Sequence, residues 1–179
     1  MSAPTRAHTA DLPDGELRAL RRFLDQAFDG DFSDDDWDHT LGGVHVLAHA
    51  GDELVGHASV VQRRLVHGGK AIRTGYVEAV AVRSDSRGRG LGAEIMKVVG
   101  ELVRSAYDLG GLGAGERAAR LYVRHGWLRW AGLAWTISPE GPVRTEADDG
   151  SVYVLPTPTS PDFELSEPIA CDWRPGDVW

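Results

Sequence analysis

Arg87-Gly88-Arg89-Gly90-Leu91-Gly92 lies between an apolar run, Val77-Glu78-Ala79-Val80-Ala81-Val82, and a stretch over 91–107 whose apolar residues recur at helical spacing. That order of strand, glycine turn and helix points to an α/β chain. A turn entering a helix aims unpaired N–H groups and the positive end of the helix dipole at any anion that approaches. Gly88, Gly90 and Gly92 have no Cβ, so the backbone can adopt φ > 0 and come close to a ligand, and Arg87 and Arg89 add charge. Three phosphate-binding patterns compete. No Gly-Lys-Ser/Thr closes the run, which excludes a Walker loop. G-x-G-x-x-G/A is met by Gly88, Gly90 and Ala93, with Asp108 as the acid, yet Asp108 precedes the next strand-like run instead of ending it. R/Q-x-x-G-x-G/A is met by Arg87, Gly90 and Gly92. Beside all three stands a plain glycine turn into a helix.

The 179 residues suffice for one domain with a core and are short for two. Apolar content of 42% and charged content of 26% are those of an ordinary globular chain, and 22 glycines imply tight turns or close ligand approach. The first thirty residues are charged throughout, and no apolar run approaches the ~20 residues that span a bilayer. A cytoplasmic protein with no membrane partner is expected. Cys171 is alone, so an intrachain disulfide is excluded and a small buried hydrophobe is expected. A net charge of −8 argues against nucleic acid and suits a cationic partner.

The pattern predicts a short strand up to about Asp11, a helix through Leu17, Leu20, Leu24, Ala27 and Phe28, and a second helix capped by Ser33 that stops at Gly42-Gly43. Strands over 44–50, 53–66 and 71–83 follow, joined by Gly51-Asp52 and His67-Gly68-Gly69-Lys70. After the helix at 91–107 come a Gly-rich strand at 109–113, a helix at 116–125 ended by Gly126, and a closing hairpin of strands at 127–138 and 151–155. The Pro-rich stretch beyond 156 reads as an irregular tail. His45 and His49 share a strand face without a third ligand nearby, so no metal is assigned. His57 and His67 read as solvated strand residues.

The Arg87, Gly90, Gly92 pattern after a strand with a polar break resembles the acetyl-CoA pyrophosphate loop of the GCN5-related N-acetyltransferase (GNAT) superfamily. Further segments are similar to the aminoglycoside 2′-N-acetyltransferases of mycobacteria and related actinobacteria, over nearly the whole chain. They are Gly30-Asp31-Phe32, Asp36-Trp37-Asp38-His39-Thr40-Leu41-Gly42-Gly43, 75–83, Arg120-Leu121-Tyr122 and the ending from Cys171 to Trp179. The resemblance implies a single-domain GNAT fold over 1–179, a mixed central sheet splayed at the acetyl-CoA strand with flanking helices, and a tail at 156–179 that contributes to the substrate site. It implies a homodimer that acetylates the 2′-amine of an aminoglycoside. The alternatives are the same chemistry on another small cellular amine, or an acyl-CoA sensor without turnover.

Acetyl transfer from a thioester to an amine needs a held donor, a deprotonated amine, a hydrogen-bond donor for the acyl oxygen and a proton for the thiolate. Glu78 interrupts an apolar strand and by alternation shares a face with Val80 and Val82, or points into a cleft; the resemblance makes it the general base, acting through water. It makes the Val80 N–H the oxyanion donor, gives Val80 and Val82 the pantetheine arm, and gives Arg87, Gly88, Arg89, Gly90, Leu91 and Gly92 the pyrophosphate. Tyr122 becomes the proton donor to the thiolate. A core tyrosine is the competing reading. For the polycationic sugar the resemblance supplies Asp31, Asp36, Glu78, Ala79, Asp148, Asp177 and Trp179 with its carboxylate. Helix-start acids such as Asp34 and Asp35 have an ordinary role in offsetting the dipole. Residue 113 is glycine where the resemblance leads one to expect serine, and Ala79 stands in place of a glycine.

Overall fold

A computed structural model describes residues 3–179; Met1 and Ser2, part of the expected opening strand, lie outside them. The chain divides into two compact units. One runs to Val61 and resumes over Val77–Val99; the other comprises Gln62–Tyr76 and Gly100–Trp179.

In the first unit β1 (Thr5–His8) pairs antiparallel with β2 (Val44–Ala50), and β2 pairs antiparallel with β3 (Glu53–His67). Helix α1 (Asp14–Ala27) opens with Asp14 and Glu16, which suit the dipole, and buries Leu20, Phe23 and Leu24. These pack with Leu12, Phe32, Leu47 and Ala81 into one apolar cluster. Helix α2 (Asp34–Thr40) begins in a capping box: Ser33 Oγ accepts from the Asp36 N–H, and Asp36 Oδ2 accepts from the Ser33 N–H at 2.8 Å. Strand β4 (Lys70–Val82) delivers the glycine turn, and α3 (Leu91–Ala106) follows it.

The second unit contains β5 (Leu109–Gly113), α4 (Glu116–Arg124), β6 (Leu128–Arg129), β7 (Ala134–Ser138), β8 (Gly141–Arg144), β9 (Val152–Pro156) and β10 (Ile169–Asp172). Its strand order is β6-β9-β5-β4-β3-β10-β7-β8. The sheet is mixed, because β4 with β5 and β10 with β7 are parallel while β5 with β9 and β10 with β3 are antiparallel. The β4–β5 ladder comprises Thr74↔Leu109, Gly75↔Gly110 and Tyr76↔Gly111, whereas β4 itself continues to Val82. Trp127, Trp130, Tyr76 and Tyr153 fill the centre of this unit.

Four expectations are corrected. The stretch 127–138 is not one strand and makes no hairpin with 151–155: β6 pairs with β9, and β7 pairs with β8 and β10. The break falls where Ala131 and Gly132 donate to Leu165 O, and a Cβ at Gly132 would overlap Glu167 O, so the chain turns aside there. The tail is not wholly irregular, since β10 lies within it. His57 and His67 are not solvated, because both are buried along with His45. Finally, period-2 alternation fails at Ala79, whose φ is +48°.

Candidate active site

The turn after β4 is shaped by its own backbone. Gly88 and Gly90 sit at φ +76° and +84°, the left-handed region that side chains make costly, and a Cβ at either would meet no atom within 4 Å. Protein packing therefore leaves the space in front of these glycines open. Arg87 is exposed yet donates from Nε to Val82 O at 3.0 Å and from Nη2 to Ala27 O at 3.5 Å, so part of its fork braces the turn. Arg89 is exposed. With the orphan N–H groups at the start of α3, this open face fits the pyrophosphate of a coenzyme. The competing dinucleotide pattern loses its acid: Asp108 accepts from Arg73 Nη2 at 3.1 Å, and that guanidinium holds its carboxyl below the usual carboxylate range.

Upstream in β4, Glu78, Ala79 and Val80 are all half-buried, and the left-handed φ of Ala79 interrupts the extended backbone between them. Glu78 consequently does not share a face with Val80 by simple alternation. The left-handed φ of Ala79 costs on the order of 1–2 kcal/mol in an L residue. Its carbonyl is held by buried His57, whose Nδ1 lies 2.9 Å away. Sequence reading gave His57 no role. The available signal was a histidine inside the apolar run Val55-Gly56-His57-Ala58, where a solvated side chain has no room.

Tyr122 on α4 is 6% exposed and packs edge-on to Trp127, with ring centroids 6.3 Å apart, beside Tyr153 at 6.0 Å. Burial, then Tyr153, pushes its hydroxyl up to about 12. The phenol stays protonated at neutral pH, as expected, but it is a weaker acid than an ordinary tyrosine.

The end of the chain is pinned. Trp179 is 5% exposed; its Nε1 donates to Thr145 Oγ1 at 2.9 Å and its N–H to Asp177 Oδ1 at 3.1 Å. Cys171, buried as expected, donates from Sγ to Val178 O at 3.1 Å. Arg174 donates from Nη2 to a main-chain oxygen of Trp179 at 3.0 Å and from Nε to Asp177 O at 2.8 Å. Asp148 follows Thr145 in the turn before β9, and its carboxyl is raised by burial and then by Asp177. Asp148, Asp177 and Trp179 are thus brought together around Thr145, and a Cβ at Gly113 would lie 3.4 Å from the Trp179 carbonyl carbon. Arg174 and Thr145 were not singled out by sequence reading: Thr145 meets Trp179 across 34 residues of chain, and Arg174 meets main-chain oxygens, which no residue type marks. Asp31 is exposed in the turn after α1, and Asp36 spends one carboxylate oxygen on the α2 cap; both belong to the first unit.

The sequence profile described as the acetyltransferase (GNAT) domain matches residues 9–129. The chain belongs to the GNAT acetyltransferase family. It is thereby an acetyltransferase, and its mixed sheet with flanking helices is the GNAT fold. Over its full length this GNAT chain is 44% identical to a protein named aminoglycoside 2′-N-acetyltransferase from Mycolicibacterium fortuitum, of which it covers 97%. Among solved structures it superposes on Escherichia coli ElaA with a TM-score of 0.62 at 20% identity, covering 87% of this chain and 99% of that one. An acyl-CoA N-acyltransferase from Pseudomonas aeruginosa gives 0.59 at 18% identity, over 85% and 97%. These two likenesses establish the fold alone. Among the described residues no helix is long and apolar enough to cross a membrane.

Proposed function

We propose that the chain, as one catalytic module of 179 residues, acetylates the 2′-amine of an aminoglycoside, acting in the cytoplasm as a homodimer. The observation that carries this reading is the 44% identity, end to end, with a protein of that name, joined to a pinned C-terminal segment rich in acid. Bound acetyl-CoA supplies an acyl group activated as a thioester. Arg87, Gly88, Arg89, Gly90, Leu91 and Gly92 hold its pyrophosphate, with Val80 and Val82 along the pantetheine arm. Glu78 takes the proton of the substrate amine through water, so that nitrogen can bond to the acyl carbon as the carbon–sulfur bond breaks. The Val80 N–H donates to the acyl oxygen; a preorganised donor of this kind contributes ~3 kcal/mol to barrier lowering. Tyr122 hydrogen-bonds the departing sulfur. Burial keeps that hydroxyl protonated at neutral pH, so it can give its proton to the thiolate as the thiolate forms.

Asp31, Asp36, Glu78, Ala79, Asp148, Asp177 and Trp179 receive the cationic sugar. Thiol release from acetyl-CoA, measured with a panel of aminoglycosides with and without a 2′-amine, tests the assignment. Release is expected with the 2′-amino compounds alone. Silence across all of them overturns it.

A further inference from the structure

With both rings neutral, the buried histidines behind β4 form a chain with only one consistent set of protons. Ala79 O can only accept, so His57 Nδ1, 2.9 Å away, carries hydrogen. In a neutral ring His57 Nε2 then holds a lone pair, and His45 Nδ1 at 3.0 Å must donate to it. His45 Nε2 is left as an acceptor for the Thr9 hydroxyl at 2.8 Å, and Thr9 Oγ1 in turn accepts the Gly42 N–H at 3.0 Å. The hydroxyl also lies 3.3 Å from Gly43 O, a longer and weaker alternative. A proton added to either ring would turn His45 Nε2 from acceptor into donor and push the Thr9 hydroxyl onto its longer contact with Gly43 O. Burial agrees, pushing His45 down to about 4 and His57 down to about 3. A directed chain therefore runs from the Gly42 main chain, at the end of α2, to the Ala79 main chain.

Its terminus matters because Ala79 C=O and Val80 N–H belong to the same planar trans peptide and point in opposite directions. Whatever aims that carbonyl aims that N–H. Ala79 holds φ +48° without the freedom of glycine, so its peptide needs an external tether to keep this orientation.

We propose that His57, backed by His45 and Thr9, is a positioning residue for acetyl transfer: by fixing the Ala79 carbonyl it aims the Val80 N–H and holds the left-handed backbone at Ala79 that presents Glu78. This rests on the reading of Glu78 and Val80 given above. It assigns work to buried side chains that touch neither substrate.

The test compares His57→Phe, which keeps the ring and removes both nitrogens, with His57→Asn, whose amide N–H can stand where Nδ1 stood. His57→Phe is expected to lower kcat by about tenfold to a hundredfold, with KM for acetyl-CoA and aminoglycoside within about threefold, since a misplaced donor is felt in the transition state. His57→Asn should recover most of that kcat even if its Tm stays low. Equal kcat losses in both variants, tracking Tm, would reduce the chain to core packing and overturn the proposal. Nitrogen-15 imidazole spectra of the unaltered protein supply a readout that needs no variant to fold: both rings should be neutral with hydrogen on Nδ1. Hydrogen on Nε2 of His57 overturns the proposal. Glu78→Gln separates the two levels. If it flattens the acid limb of the kcat–pH profile while His57→Phe leaves kcat unchanged, the positioning role fails and the base role stands. If Glu78→Gln leaves the profile intact while His57→Phe still lowers kcat and His57→Asn restores it, the base role fails and the positioning of the Val80 N–H stands.

Discussion

The turn at 87–92 and the tail at 173–179 are both irregular backbone, but they are held by opposite means. At Gly88 and Gly90 the conformation is intrinsic, a left-handed φ with open space where side chains would sit. In the tail the conformation is imposed from outside: Thr145 takes the Trp179 indole, Arg174 grips two main-chain oxygens, and the indole itself is buried. A ligand that binds through backbone N–H groups needs the first arrangement, because it must approach closer than any side chain allows. A ligand that binds through carboxylates needs the second, because charges on a frayed end would be screened and mobile.

Substitutions that break one region should leave the other's substrate untouched. Gly90→Val places a β-branched side chain at φ +84° and fills the open face. The expected result is an acetyl-CoA KM raised about a hundredfold, with aminoglycoside KM within about twofold; an unchanged acetyl-CoA affinity by calorimetry would break the comparison at its first member. Trp179→Ala should raise aminoglycoside KM about tenfold and leave acetyl-CoA KM alone. It should also lower Tm by roughly 6–20 °C, from the ~3–5 kcal/mol cost of deleting a buried tryptophan and the ~2–4 °C per kcal/mol of a domain this size. An irregular tail on the surface would contribute little to stability; burial of the Trp179 indole makes this one contribute.

Asp148→Asn sharpens the contrast between binding and stability. Burial and Asp177 raise the Asp148 carboxyl, so the folded protein holds that proton more tightly than the unfolded chain. Its favourable contribution is complete below the ordinary value of 3.8 and is lost as pH rises through the raised value, leaving the charge a net cost at neutral pH. Asp148→Asn should therefore raise Tm slightly at pH 7 and not at pH 3, while raising aminoglycoside KM severalfold. Thermal scans at the two pH values and steady-state kinetics check both halves. Gly113→Ser gives the smallest effect. The new Cβ would make ordinary contact with Trp179 at 3.4 Å, and Tm should move by no more than about 2 °C, consistent with a change within ±0.5 kcal/mol.

Local chemistry makes much of this molecule legible in its sequence. The Ser33 cap, the hairpin turn at Gly51-Asp52, the helical stripe after the glycine turn and the turn itself are all written in residues close together along the chain, and each stands where expected. The split of 127–138 was invisible because its cause, the crossing of 165–167, comes from more than thirty residues away. Asp36 shows the same limit on a small scale: its sequence position is compatible with substrate, and its coordinates give an oxygen to Ser33.

What the sequence determined by itself is the class of chemistry, because a glycine turn between strand and helix carries its function in the backbone and needs no distant partner to be read. Tertiary structure alone decided which side chains are held and by what. The Ala79 peptide is fixed by a histidine from β3, that histidine by one from β2, and the last tryptophan by a threonine from the turn before β9. Hydrogen bonds and burial between segments far apart in the chain depend on where the fold brings them, and no local pattern encodes that.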